Sequence, residues 1–549
     1  MYDLVVKGGT IVDGSGNPWF KGDIGIAEGK IRKIGRIAPE SGGKTINAEG
    51  LSVSPGFIDI HNHSDLVLTL ENHGEILEPF LRQGITTVVV GNCGMSAAPV
   101  TEASLELQKG YLSLITAGQP TWSWRSMKDY LTLLEAQGVL FNVACLVGQG
   151  TIRLAVMGAR DTRPTSKEME EMKALLRRCL EEGAYGMSTG LIYPPGMWSA
   201  TDELAELAKV LAEYHAVFTS HVRGSSETGL DSERELISIA KASGVRVQHS
   251  HHEAFGRKFW SNIKATVRMD EDAREKGLDV AFDVIPYTAA NTYLTAIFPP
   301  WTMEGGFNAL IQRLKDPKVR ARIKREVETL IPTWPPWKKG GWPHNLVEAT
   351  GWKNIEVISI PSGRKKTWIG KSLAELGRRM GKHPFDVAAD LVIEEGGGVM
   401  ALYWGVSGDR KADEGVRYLL SHRLASIGPD AILTGTGLPH PAAYGAFPKV
   451  IGRYCRDLKL FPLEEAVRKM TSLPAQRIGI RDRGLIALGM AADLVLFDYR
   501  KIIDQATYEK PFKPPLGIKY VIINGQVALF DGSVERGLKP GKILIRDLN

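Results

Sequence analysis

Apolar positions along the chain fall into two patterns. At the ends, residues 1–54 and 483–549, short apolar runs are broken by glycine and by turns. The N-terminal runs are Leu4-Val5-Val6, Thr10-Ile11-Val12, Ile24-Gly25-Ile26 and Lys30-Ile31-Arg32-Lys33-Ile34. The C-terminal runs are Asp493–Phe497, Tyr520–Ile523 and Gln526–Ala528, the last two separated by Asn524-Gly525. Asn-Gly between apolar runs is the strongest short-range hairpin signal. Both ends therefore predict strands, and together one small β-sandwich domain assembled from the two termini.

Between them, over residues 55–482, short apolar runs alternate with amphipathic segments. Strands are predicted at Thr86–Val90, Phe141–Val147, Ala184–Ser188, Ala216–His221, Val245–His251, Val280–Val284 and Ala431–Leu433. The segment Ser166–Glu182 has an acidic first turn and places Met169, Met172, Leu175, Leu176, Cys179 and Leu180 on one face, which predicts a helix. Asp202–Tyr214 and Ser232–Ala242 read the same way. Repeated βα units predict the α/β class and a (β/α)8 TIM-like barrel whose active site lies at the C-terminal strand ends; a doubly wound open sheet is the competing architecture. The rhythm breaks at about residues 298–352, where Pro299, Pro300, Trp301, Trp334, Trp337, Trp342 and Trp352 mark an insertion. It reads equally as a lid over the site or as a surface excursion packing its own tryptophans.

A chain of 549 residues, 43% apolar and 24% charged, is long enough for a large catalytic domain plus a smaller one. The net charge of +6 is spread without a Lys/Arg stripe, which argues against a nucleic-acid partner. Met1-Tyr2-Asp3-Leu4 does not begin a secretory signal and no apolar run reaches spanning length, so the expectation is a soluble cytoplasmic protein without a membrane partner. Cys93, Cys145, Cys179 and Cys455 show no paired spacing and predict no disulfide framework.

Candidate chemistry concentrates at predicted strand ends. In Pro55-Gly56-Phe57-Ile58-Asp59-Ile60-His61-Asn62-His63-Ser64-Asp65, His61 and His63 stand at i and i+2, and strand alternation sends both to one side, within reach of one metal ion. The plain alternative is two histidines in an ordinary βα loop. Three further strand ends supply partners: His221 in Thr219–Arg223, His251 in Val247–Glu253, and Cys93 in Gly91-Asn92-Cys93-Gly94. Imidazole and thiolate are the ligands zinc prefers. Each residue alone has a packing explanation, and His249 and His252 read more readily as packing or supporting residues. Candidate ligands at four strand ends are hard to attribute to chance.

With these residues in place the chain resembles the amidohydrolase superfamily, and within it the N-acyl-D-amino-acid deacylase (D-aminoacylase) group. The resemblance is carried by Val6–Gly14, Pro55–Asp65, Gly91–Gly94, Gly186–Tyr193, Ser220–Arg223, Ser250-His251, Gly437–His440 and Ala491–Val495, in that order, over nearly the whole chain. It implies a zinc-dependent barrel hydrolase. It also implies a tight metal site at Cys93, His221 and His251, with His61 and His63 forming a second, more weakly occupied one.

The departures from that group set further expectations. The group places an aspartate, which binds metal and takes a proton from the attacking water, where this chain is aligned at Thr436; Asp430, six residues earlier, is expected near the wrong end of its strand. Glu253 stands where lysine is usual, Ile285 where tyrosine is, Ala442 where arginine is, and Gln149 where histidine is commoner. Those groups clamp a substrate carboxylate, so their loss points away from a plain N-acyl-D-amino acid. Glu253 is expected as a replacement base or cation-binding group, or else as a loop carboxylate bonded to Arg223. Tyr193 and His440 are candidates for polarising the substrate, and Arg223, Tyr193 and Asn291 for contacting it. The favoured function is a metal hydrolase cleaving an amide or related C–N bond, other than a peptide bond, in a small molecule lacking the usual free carboxylate. Non-hydrolytic or C–C bond-cleaving chemistry, and a degenerate binding protein, stand as alternatives. A monomer or small homo-oligomer is expected.

Overall fold

The computed structural model describes residues 1–38, 42–338 and 341–547. The apolar runs of the middle segment form eight parallel strands: β1 (Phe57–Asp59), β2 (Ile85–Val90), β3 (Asn142–Cys145), β4 (Gly186–Gly190), β5 (Val217–His221), β6 (Arg246–His249), β7 (Val280–Val284) and β8 (Ala425–Ile427). Pairing runs β1–β2–β3, and Val147–Gly148, just beyond β3, carries it on through β4, β5, β6 and β7 to β8. The ring closes where Asn62 bridges Ala431 and the N–H of Asp430 donates to the His61 carbonyl at 3.2 Å. β2 and β7 are buried along their whole length because the barrel interior covers one face and helices the other. That is why they read as continuous apolar runs rather than alternating ones.

The helices follow the periodicity. α1 (Ser166–Glu181) opens on a capping box between Thr165 and Glu168 and buries Met172, Leu176, Cys179 and Leu180. α2 (Thr201–Glu213), α3 (Gly229–Ser243) and α4 (Asn262–Glu275) form the next parts of the outer ring.

One strand is corrected. The last barrel strand is Ala425–Ile427, not Ala431–Leu433. Ala431, Ile432 and Leu433 are apolar and buried, which produces the strand-like signal. They follow Gly428-Pro429, however, and proline has no N–H to give a ladder. The true strand end is therefore earlier, and the rim of the barrel lies at Asp430.

The termini form the β-sandwich. Strands at Tyr2–Ile11, Phe20–Ala27, Lys30–Gly35, Gly42–Asn47 and Ser52–Pro55 join others at Leu494–Phe497, Ile518–Ile523, Gln526–Phe530 and Ser533–Val534. The seam is antiparallel, with Leu496 opposite Val53. Asn524 and Gly525 both have positive φ (49° and 79°), as a two-residue hairpin turn matched to strand twist requires. Leu4, Ile26, Val53, Leu494 and Ile522 share its core.

Between β7 and β8 lies an insertion larger than its proline- and tryptophan-rich centre. An antiparallel sheet of Ala289–Tyr293, Met400–Trp404, Ile355–Ser359 and Lys371–Ser372 joins helices around a separate core containing Ile297, Leu310, Ile323, Val357 and Phe385. The signature at 298–352 thus marks the middle of a unit spanning 289–404. Its flanks are ordinary strands and helices whose composition does not set them apart. Residues 339 and 340 of the predicted insertion, and 548 and 549 of the C-terminal segment, lie outside the described residues. Among the described residues, no helix is long and apolar enough to cross a membrane. All four cysteines are buried and free.

Candidate metal centre

Five strand ends converge on one thiol. Cys93, beyond β2, places its Sγ 3.2 Å from His61 Nε2, 3.6 Å from His221 Nδ1 and 3.7 Å from His251 Nε2. The nearest nitrogens of His221 and His251 are 2.9 Å apart. On the other side, Asp430 Oδ1 lies 3.1 Å from His63 Nε2 and 3.4 Å from His61 Nε2. Two donor groups result, Cys93–His221–His251 and His61–His63–Cys93–Asp430, each with its donor atoms within 4.8 Å of one another and the thiol shared.

The backbone bends to make this possible. Cys93, His251 and Asp430 all have positive φ (50°, 37° and 47°) without being glycine. Such conformations persist where the surroundings impose them, and they gather at functional sites. In His251 the bend follows directly on the end of β6 and turns the imidazole into the barrel. Gly428 is required for the same packing: a Cβ there would stand 2.7 Å from Asp283 Oδ1 and 2.9 Å from the His61 Cβ. Asp283, on β7, accepts the His251 N–H through Oδ1 at 2.8 Å, and that oxygen lies 3.4 Å from His61 Nδ1. Its Oδ2 accepts from Gln248 at 3.1 Å. One buried carboxylate thereby fixes the His251 backbone and stands behind the His61 imidazole, in the place where carboxylates back metal-bound imidazoles.

Burial alone would raise the Cys93 thiol, but His61, His221 and His251 outweigh it and hold the thiol well below its usual value. Burial lowers His61 and His63, yet Cys93 and Asp430 override it; His61 is pushed well above the ordinary imidazole value and His63 up to about 10. His251 is likewise held at about 9 against burial, by Glu253 and Cys93, whereas burial brings His221 down to about 4. Asp430 is lowered despite burial, through His61 and His63, and stays ionised. Protons held this way are those a divalent metal displaces on binding. A buried donor set of imidazole, thiol and carboxylate fits zinc.

The structure brings His61, His63, Cys93, His221 and His251 together, with Tyr193 and Glu253 beside them. The Tyr193 hydroxyl pairs with Thr292 Oγ1 at 2.6 Å, and its ring meets His221 edge-on at 5.3 Å between centroids. Tyr193 also lines a cavity of about 200 Å³ with Tyr111, Leu154, Tyr293, Met303 and Phe307. Glu253 Oε1 is 3.7 Å from His251 Nδ1, its Oε2 is buried without a partner, and burial raises the carboxyl to about 8.

Four expected residues are exposed or engaged with other partners. Thr436 is exposed, its hydroxyl 3.2 Å from that of Thr434, while Asp430 occupies the carboxylate place among the histidines. The earlier end of the last strand accounts for that placement. Both His440 ring nitrogens are engaged by backbone, Nε2 at 3.0 Å from the Ala289 carbonyl and Nδ1 accepting the Ala442 N–H. Arg223 is fully buried and bonded to Glu235 at 2.7 Å and to the Met197 and Ser199 carbonyls, rather than to Glu253. Asn291 is buried on the insertion sheet against Met400 Sδ. Gln149 is likewise internal, donating to Ser199 at 2.8 Å. Asp283 was missed; its signal is a carboxylate inside the apolar run Val280–Val284.

The sequence profile described as the amidohydrolase family matches residues 44–327 and 372–529. N-acyl-D-glutamate deacylase of Alcaligenes xylosoxydans xylosoxydans is 34% identical over 545 residues, covering 99% of this chain and 97% of the relative. D-aminoacylase of the same organism is 31% identical over 545 residues, covering 99% and 98%. The solved structure of N-acyl-D-glutamate deacylase from Bordetella bronchiseptica, bound to zinc and a phosphonate inhibitor, superposes with a TM-score of 0.80 at 31% identity, covering 99% of this chain and 100% of that one.

Proposed function

The chain belongs to the amidohydrolase family, and on that premise we propose that it is a zinc-dependent hydrolase cleaving the amide C–N bond of an N-acyl small molecule whose amine part carries no free carboxylate. The observation that carries the hydrolytic part is Asp430, an ionised carboxylate 3.1 Å from His63 beside the Cys93–His221–His251 donor group. Zinc held by these residues would acidify water and polarise the carbonyl. Asp430 takes the proton from the attacking water and delivers it to the leaving nitrogen. Asp283 holds His61 and His251 in the orientations this requires, and Tyr193 walls the acyl side.

The substrate class rests on charge. Among the described residues lining the Tyr193 cavity there is no lysine or arginine, and its aromatic and apolar walls suit an apolar or aromatic acyl group. Arg223 is consumed by Glu235, and Glu253 supplies no positive charge beside His251. Among the described residues lining that cavity, a carboxylate-bearing product would find no lysine or arginine to clamp it.

The test follows amine release by the zinc-loaded protein from matched N-acyl-D-amino acids, their carboxamides and simple N-acyl amines. The neutral compounds are expected to have the higher kcat/KM, by about ten-fold or more, the scale of one lost charged contact. Preference for the free carboxylates would overturn the substrate class, and no release from any of them after zinc loading would overturn the hydrolase.

A further inference from the structure

A second cluster of metal-binding side chains lies on the opposite side of β6, facing the helices. Glu233 comes from α3, His249 from the end of β6, His252 from the turn that follows, and Asp270 from α4. All four are essentially sealed, with exposures of 0%, 3%, 2% and 0%. His249 Nδ1 is 2.8 Å from Glu233 Oε2, and His252 Nε2 is 4.0 Å from the same oxygen. His252 Nδ1 faces Asp270 Oδ2 at 3.6 Å, and the two imidazoles stack at 4.2 Å. Thr266 Oγ1 is 2.7 Å from His252 Nε2. Apart from these ion-pair contacts and a contact between the Glu233 and Asp270 carboxyls, both oxygens of Glu233, both of Asp270, and Nδ1 of each histidine have no hydrogen-bond partner.

That many orphaned buried polar atoms is unusual. Each one left unsatisfied costs roughly 1–3 kcal/mol, and native interiors avoid such groups. Ligand atoms of Glu233 from α3, His249 from the end of β6 and His252 from the turn that follows lie within 4.8 Å of one another. Donors around a tetrahedral zinc stand about 3.4 Å apart, given bonds of about 2.1 Å. The observed 2.8 and 4.0 Å bracket that spacing. We propose that Glu233, His249 and His252 form a structural site for a divalent transition metal such as zinc, with Asp270 orienting His252 from behind. The site is closed to substrate. It ties the end of β6 to α3 and α4, directly behind the bend that presents His251 to the catalytic centre.

The test is elemental analysis of the full-length protein grown with zinc or cobalt. It compares wild type, Glu233→Gln, His249→Leu/His252→Leu, and a Cys93→Ala/His63→Ala/His221→Ala variant that dismantles the inner centre. The two outer variants should each lose about one metal equivalent while keeping the thiolate-to-cobalt absorption that only Cys93 can give. The inner variant should keep about one equivalent, without that absorption, and its unfolding midpoint should fall on chelation and recover with zinc. Outer variants that bind as much metal as wild type would overturn the proposal. So would an inner variant that folds metal-free and is indifferent to zinc. If the outer variants do not fold, wild-type cobalt stoichiometry decides: more metal than the inner centre's thiolate-linked sites account for supports the outer site, and none in excess refutes it. Loss of the Cys93 absorption in wild type would instead count against the catalytic centre, so the two failures are separable.

Discussion

His249, His251 and His252 lie within four consecutive residues, yet they serve two different environments. His251 turns inward at a positive φ of 37° and meets a thiol, further histidines and Asp430 beside a tyrosine-lined cavity. His249 and His252 turn outward into a sealed pocket of carboxylates beneath α3 and α4. Both faces offer imidazole and carboxylate. What separates them is the thiol and the neighbouring cavity: among the described residues, Cys93 stands only among the inner donors, and Tyr193, whose ring meets His221, lines a cavity. Ligand type alone therefore does not identify a catalytic centre. A catalytic metal needs donors on rigid strand ends together with an approach for substrate.

The largest expected effect divides the faces outright. Cys93→Ala should remove inner-centre zinc, measured by elemental analysis, and reduce hydrolysis to background, because the loss includes several kcal/mol of transition-state stabilisation. Retained activity with a full inner complement would erase the distinction. Next comes the helix behind the outer face. Glu235 on α3 pairs with buried Arg223, so Glu235→Gln leaves that cation uncompensated and should lower unfolding stability by about 3–5 kcal/mol in denaturant titration. If Arg223 instead served substrate, the variant would chiefly raise KM at unchanged stability. A smaller effect is expected from Gly428→Ala, whose Cβ would press on Asp283 and His61. It should cost about 1–3 kcal/mol of overpacking and weaken inner zinc affinity, leaving outer metal content unchanged.

The smallest effect comes from a region carrying neither cluster. In the insertion, burial would raise Asp386, but Lys324 and Arg320 outweigh it and hold the carboxyl below its ordinary value. A depressed carboxyl contributes stability above its unfolded value near 4, lost as pH falls through the lower folded value. Acid unfolding of wild type should therefore show a component below about pH 4 that Asp386→Asn lacks. An unchanged acid limb would assign that component to the metal clusters instead.

Much of the architecture was legible because barrel strands buried on both faces leave uninterrupted apolar runs, and the terminal hairpin declares itself through Asn524-Gly525. The candidate ligands His61, His63, Cys93, His221 and His251 were legible because each follows such a run. Asp430 was not: the apolar Ala431-Ile432-Leu433 imitates a strand, and only the closure onto Asn62 shows that the rim comes earlier. Arg223 and His440 looked chemical because sequence does not reveal that Glu235 and backbone groups already satisfy them. The outer cluster was invisible for a related reason. Glu233, His249, His252 and Asp270 come from a helix, a strand end, a turn and another helix, and no spacing rule joins them.

The most direct test of the account measures amine release from one neutral N-acyl amine by zinc-loaded wild type, Asp430→Asn and Thr436→Ala. Asp430→Asn should lose about 10²–10⁴-fold in rate, the usual scale of general acid–base catalysis, with inner zinc retained and Thr436→Ala close to wild type. An Asp430→Asn protein as fast as wild type, or a Thr436→Ala protein as impaired as Asp430→Asn is predicted to be, would contradict it.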